Sequence, residues 1–289
     1  EIYTLSLHDA LPISTSGQPI PPRPIFPVGT GGGEPGPQAD PGSSGAGIPS
    51  VSGAEAVPPV QPMTVEESLR LRAFLKERRI DTLIHFTRLE NLASILSYGL
   101  LSRGAIATDP RVGRVRTNEP ELPEAWRDMI SLNISFPNYR LFYQMQAMRG
   151  FEWVVLAYDA ALLLQLPFFS FIFPAANLIR TPVFSAEIAP TLQSYPAFEN
   201  LFMDTDTVRR RILRIPDAYP THPYSELLIP GSIANQYLRE VHFYNDYKFD
   251  QWYLQNESLA GIVDKNLWQV GLTYFSPRMD YANWRTTIR

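Results

Sequence analysis

His85 and Thr87 close the short apolar run Leu83-Ile84-His85-Phe86-Thr87, and Glu226 opens a second run, Leu227-Leu228-Ile229, far downstream. An imidazole changes charge near neutral pH and can donate or accept a hydrogen bond. A carboxylate at the head of an apolar strand costs desolvation energy unless it is paired or put to use. In use, it can face a developing positive charge or take a proton from a nucleophile. Each residue also has an ordinary reading. A lone histidine at a strand end is commonly a satisfied core or edge residue. Thr87 and Glu90 form a T-x-x-E pattern that would cap the next helix. Glutamates at strand ends often simply face water.

Composition removes several other chemistries. The chain has no cysteine, which excludes disulfides and thiolate metal sites. The histidines are His8, His85, His222 and His242, and none stands in an HExxH or similar zinc-binding arrangement, so no metal cofactor is expected. The longest apolar stretch, Leu162 to Phe173, is broken by Gln165 and Pro167 and is too short to span a bilayer, so no membrane association is expected. It reads as a buried helix end and a strand. The formal net charge is −4. That excess lies in the amino-terminal tail, where Glu1, Asp9, Glu34, Asp40 and Glu55 face only Arg23. The remainder is close to neutral and has no global basic field. Basic residues cluster locally instead, at Arg70 to Arg79, Arg103 to Arg116 and Arg209 to Arg214, either as phosphate contacts or as solvated faces.

The elements that must position these residues can be read from pattern. Thr64 and Glu67 form a capping box ahead of a helix over 65–78. A strand over 81–86 and a helix over 89–98 follow, the latter ended by Gly99. Strand composition marks 130–136 and 152–158, with a helix near 140–148 between them. Short strands are expected at 226–230 and 240–244, then a polar, aromatic helix at 247–258. Helices mixed irregularly with short strands argue for an α+β domain and against a parallel α/β sheet.

The chain divides into unlike parts. Residues 64–289 carry enough apolar and aromatic side chains for one catalytic-sized domain. Residues 15–63 are rich in Pro, Gly, Ser and Ala and are expected to form a disordered linker. Its Gly-rich stretch at 29–36 is no phosphate loop, because Pro35 and Pro37 block the helix such a loop needs. Residues 1–14 are similar to translated sequencing-adapter read-through and are set aside as non-native.

Four segments together resemble the DarT family of NAD-dependent DNA ADP-ribosyltransferases. They are His85-Phe86-Thr87 with Asn91-Leu92, Ile95-Leu96 and Gly99-Leu100-Leu101-Ser102; TDPRVGRVR at 108–116; ISLNISFPNYRLFY at 130–143; and YPTHPYSELLIPGSIANQYLREVHFYN at 219–245. The resemblance implies an ADP-ribosyltransferase-like α+β fold with a split mixed sheet flanked by helices. It places the catalytic glutamate at Glu226 and the NAD pocket at His85, Thr87 and Asn91. The NAD-contacting arginine falls on Arg116, which the resemblance also makes catalytic by offsetting pyrophosphate charge or orienting the leaving group, with Arg127 as the alternative. Where family members usually carry Gln-Ala before the glutamate, this chain has Tyr224-Ser225.

The implied activity is transfer of ADP-ribose from NAD, as co-substrate, to a thymidine or guanosine base of single-stranded DNA. The implied setting is a monomeric toxin in the bacterial cytoplasm, countered by a macrodomain-type or related antitoxin. The segment from about Arg180 to Ser225 would bind the DNA, with Phe198, Phe202, Tyr219 and Tyr224 stacking on bases or serving as core. The alternatives are the same chemistry on RNA or protein, and an inactive nucleic-acid-binding module of the same fold.

Overall fold

The computed structural model describes residues 62–112, 127–147, 152–172, 189–205, 208–278 and 280, and all of these lie in one compact unit. Helix α1 (Val65–Arg78) starts where its capping box predicts. The Thr64 hydroxyl accepts from the Glu67 amide at 3.2 Å, and the Glu67 carboxylate accepts from the Thr64 amide at 3.1 Å. The Thr64 hydroxyl also donates to the Glu67 carboxylate at 2.8 Å, and this bond with the one from the Thr64 amide holds the Glu67 carboxyl below its ordinary range.

Strand β1 (Thr82–Arg88) follows, then a single 3-10 turn (Leu89–Asn91) and helix α2 (Leu92–Tyr98). The expected helix over 89–98 is thus split in two. Thr87 belongs to the strand, and the cap position falls on Arg88, whose side chain makes no cap bond. Gly99 ends α2 at φ +86°, and a Cβ there would stand 2.8 Å from the Ile233 carbonyl oxygen. Only glycine supplies both that dihedral and that close approach. The two segments then pair as β2 (Leu100–Leu101) and β7 (Ser232–Ile233).

The rest of the chain supplies helix α3 (Arg103–Thr108), strand β3 (Met129–Ile134), helix α4 (Tyr139–Gln146), strand β4 (Trp153–Asp159) and strand β5 (Phe169–Ile172). Short helices α5 (Ala189–Leu192), α6 (Tyr195–Asn200) and α7 (Arg210–Leu213) lead to β6 (Ser225–Pro230) and β8 (Leu238–Phe243). The predicted final helix breaks at Asn256 into α8 (Asp246–Gln255) and α9 (Glu257–Ala260) before a short edge strand, β9 (Trp268–Val270).

Seven strands form one mixed sheet in the order β5-β6-β3-β1-β4-β8-β9, antiparallel except for β8 with β9. Both faces are covered. On one face Leu83, Leu132, Val154, Leu156, Leu227 and Val241 pack beneath Leu71 and Phe74 of α1 and Phe198 and Phe202 of the α6 region. On the other, Ile84, Val155 and Ala157 pack against Phe136, Tyr139, Phe142 and Phe275.

The sheet is not continuous at its centre. Strand β1 pairs with β4 along its whole length, from Thr82 opposite Asp159 to Arg88 opposite Trp153. It pairs with β3 only at Leu83 opposite Ile134 and Ile84 opposite Asn133. Beyond Ile84 the two strands diverge, while β3 stays paired to β6 back to Met129. The sheet therefore forks into a β1-β4-β8-β9 half and a β3-β6-β5 half, the split mixed sheet that the resemblance implies.

Candidate active site

The fork gathers the polar residues. His85 is the first β1 residue past the last β1–β3 pair, and its Nδ1 lies 3.1 Å from the Ser131 carbonyl oxygen of β3. A carbonyl can only accept, so Nδ1 carries the hydrogen and Nε2 of the neutral ring is an acceptor. Burial of the ring pushes the His85 pKa below the ordinary value of 6.5, outweighing the opposing effect of the Ser131 bond. At neutral pH His85 is therefore uncharged, with one lone pair to offer.

Glu226 stands across the fork, paired with Asn133 of β3 and Phe171 of β5. The Ser131 hydroxyl donates a short hydrogen bond to Glu226 Oε2, and Asn138 Nδ2 donates to Glu226 Oε1 at 3.4 Å. Asn138 is fully buried and works in three directions. Its Oδ1 caps α4 by accepting from the Leu141 amide at 3.3 Å, and its own amide donates to Asn133 Oδ1 at 2.9 Å. Ser131 thus touches both His85, through its carbonyl, and Glu226, through its hydroxyl. Strand alternation sets His85 on the opposite face from Ile84, Asn133 and Glu226. The divergence of β1 from β3 begins at this point, past the Ile84–Asn133 pair.

Thr87 and Asn91 are brought together just beyond. Both are buried, and Asn91 Nδ2 donates to Thr87 Oγ1 at 3.0 Å. Thr87 shares its face with His85, two residues along the same strand. Arg116 lies outside the described residues. Arg127 is described and exposed, two residues before the start of β3.

Three residues of this cluster were not singled out from the sequence: Ser131, Asn133 and Asn138. The signal was present as Ser131 and Asn133 alternating with Leu132 and Ile134, a polar face on an otherwise apolar strand. Asn138, directly after Pro137, also has the composition of a helix cap.

Of the expected DNA-binding segment, residues 180–188, 206 and 207 lie outside the described residues, and the rest resolves differently. Phe198 and Phe202 are fully buried in the main core and stack edge-on with Phe74, so they are core residues and not base-stacking ones. Tyr224 is buried as well, and its ring lies 4.9 Å from that of His222. Tyr219 is half-buried against Phe136 and beneath the Arg278 guanidinium. Arg210 is a structural clamp. It donates to the Pro216 and Tyr219 carbonyls at 2.9 and 2.8 Å and to the Thr221 hydroxyl at 3.0 Å. Burial, with repulsion from Arg78 and Arg278, brings its pKa down to about 10. Arg209, Arg211 and Arg214 are exposed and keep the phosphate-contact reading open.

Among the described residues no group of three or more His, Asp or Glu could hold a metal ion, and no helix is long and apolar enough to cross a membrane. A cavity of about 290 Å³ lined by Met63, Ser68, Leu166, Phe168 and Gln193 holds none of the candidate site residues.

Comparison with known proteins gives the family. The family model described as "ssDNA thymidine ADP-ribosyltransferase, DarT" matches residues 84–259, more than half the chain and the whole of the forked region from Ile84 through β6. Among solved structures, the chain is similar to Thermosipho africanus DarTG in complex with ADP-ribose at 14% identity and a TM-score of 0.39, covering 66% of this chain and 50% of that one. It is also similar to Thermus sp. 2.9 DarT in complex with NAD+, at 15% identity and a TM-score of 0.38, covering 66% and 94%. The same Thermus protein in complex with ADP-ribosylated single-stranded DNA matches at 14% identity and a TM-score of 0.38, covering 67% and 94%. The chain thus spans half the length of the Thermosipho protein. No curated protein matches it.

Proposed function

Since the chain belongs to the DarT family of single-stranded DNA thymidine ADP-ribosyltransferases, we propose that it uses NAD as co-substrate and transfers ADP-ribose to a base of single-stranded DNA, with Glu226 as the catalytic carboxylate. The bond between nicotinamide and the ribose C1′ breaks, and its electron pair leaves with the nicotinamide, which becomes neutral. The base nitrogen attacks C1′ and loses its proton to Glu226. The observation that carries the reading is the placement of Glu226 at the fork. Ser131 and Asn138 fix its two oxygens, so a negative charge is held where positive charge develops on the ribose. Proton uptake by a positioned base typically contributes ~10²–10⁴ in rate.

His85 contributes a neutral Nε2 acceptor for a ribose hydroxyl or the nicotinamide amide. The Thr87–Asn91 pair lines the β1 side of the NAD pocket. Arg116, or Arg127 in its place, offsets pyrophosphate charge. Thymidine is the base in the family description, and Tyr224-Ser225 in place of the usual Gln-Ala makes guanosine the acceptor to test beside it. The proposed setting is a monomeric toxin of the bacterial cytoplasm with an ADP-ribosyl hydrolase antitoxin of macrodomain type.

The test is incubation of the full chain with NAD and single-stranded oligonucleotides containing thymidine or guanosine as the only reactive base, read by intact mass spectrometry. The expected result is a gain of one ADP-ribose on DNA that Glu226→Gln abolishes. NAD binding with adducts only on RNA or protein would move the acceptor. NAD binding with no adduct anywhere would identify an inactive module.

A further inference from the structure

Among the described residues, the polar cluster at the fork contains a donor without a partner. Asn133 is 4% exposed, and its Nδ2 has no hydrogen-bond partner among the described residues. The orientation of its amide is fixed by chemistry. The Asn138 backbone amide can only donate, so the Asn133 atom 2.9 Å from it must be Oδ1. The NH₂ group, with two hydrogens, is therefore the end left over. A buried donor without an acceptor forfeits its hydration with nothing in return, and such groups in native proteins call for a reason.

Its position supplies one. Asn133 is the last β3 residue paired to both neighbours, opposite Ile84 of β1 and opposite Glu226 of β6. Cross-strand partners share a face, so Asn133 lies on the Glu226 face at the vertex of the fork. The nearest carboxylate, Glu226, takes its hydrogen bonds from Ser131 at Oε2 and Asn138 at Oε1 and none from Asn133 Nδ2. The backbone acceptors of β3 on either side serve the two ladders and His85. Among the described residues, the vertex offers this donor no oxygen.

We propose that Asn133 is a substrate-binding residue whose Nδ2 donates to an oxygen of the nicotinamide-riboside half of NAD, the half that reacts beside Glu226. This rests on the transferase reading. With Glu226 engaging the same riboside from one side and Asn133 donating beside it, the ribose is held against the carboxylate. The two residues are cross-strand neighbours of opposite hydrogen-bonding character, one an acceptor and one a donor.

The experiment is titration of the full chain with NAD and, separately, with ADP, which lacks the nicotinamide riboside. Asn133→Asp keeps an oxygen for the Asn138 amide and removes the donor. Asn133→Ala removes the donor without adding charge, and a thermal melt of each variant reports folding. One net hydrogen bond corresponds to a roughly 2- to 12-fold change in affinity. Both variants are expected to weaken NAD by that factor and to leave ADP unchanged. Unchanged NAD affinity in a folded Asn133→Ala chain would overturn the assignment. So would a loss confined to Asn133→Asp, which would reflect the introduced charge, or an equal loss for NAD and ADP. Absence of NAD binding by the unsubstituted chain would instead overturn the transferase reading itself.

Discussion

Asn138 joins the start of a helix to Glu226, the carboxylate proposed as catalytic, and the two jobs can be separated. Substitution by alanine removes both the α4 cap and the Glu226 contact. Loss of an asparagine cap costs typically ~1 kcal/mol, within a range of about 0.5–2. For a domain of this size that lowers the melting temperature by roughly 2–4 °C. The contact to Glu226 involves a charged acceptor, a class worth about 1.5–3 kcal/mol at good geometry. At 3.4 Å it is long, so about 1 kcal/mol is the reasonable figure, or roughly a fivefold loss in kcat/KM. Asn138→Ser separates the effects. A serine hydroxyl caps as well as asparagine does, but its side chain is one bond too short to reach Glu226 from the cap position. The expected pattern is a serine variant that melts close to the unsubstituted chain yet transfers ADP-ribose about fivefold more slowly, and an alanine variant that loses on both counts. Rates come from single-turnover mass spectrometry at saturating DNA, and stabilities from thermal melts. A serine variant with full activity would refute the reasoning, because Asn138 would then act only through the helix.

Other expectations concern pH and the core. Burial holds both His85 and His242 below the ordinary histidine value of 6.5. The unfolded chain thus binds protons on these rings where the folded chain does not. Their stabilising contribution is present above about 6.5 and is lost as pH falls. Denaturant midpoints at roughly pH 7.5 and 5.5 should show this drop, and His242→Gln should shrink it; an unchanged drop would place its origin elsewhere. Phe198→Ala should destabilise by roughly 3–5 kcal/mol without altering DNA affinity per folded molecule, checked by chemical denaturation and by titration with labelled oligonucleotide. A selective loss of DNA binding would return Phe198 to the substrate surface.

Where information is local, the sequence carried it well. The Thr64–Glu67 capping box, Gly99 at the end of α2 and the apolar strands around His85 and Glu226 all lie where spacing put them, because each depends on neighbours a few residues away. The hydrogen-bonded triad of Ser131, Asn138 and Glu226 joins β3, α4 and β6, and nothing in local periodicity states that these meet. Phe198 and Phe202 illustrate the same limit. An aromatic between arginines reads equally as a base platform or as core, and only packing against Phe74 decides. Thr87 was ambiguous for a different reason. The T-x-x-E pattern is a cap signal, but the pairing of β1 with β4 runs on to Arg88 and holds Thr87 in the strand.

The fork has a further consequence for how this domain can change. Continuing the β1–β3 register past Ile84 would set Leu132 against His85 and Ser131 against Phe86. The Ser131 carbonyl meets the His85 imidazole instead. A side chain therefore occupies a place that a main-chain amide would fill in an unbroken sheet, and it acts as a wedge. Replacing His85 with a β-branched apolar residue would favour resumption of the ladder. The variant most attractive to a screen for thermal stability would then be one in which the strands have zipped shut. With His85 in the NAD pocket as proposed, stability and catalysis pull in opposite directions at this one residue, and the open seam in the sheet is where the two demands meet.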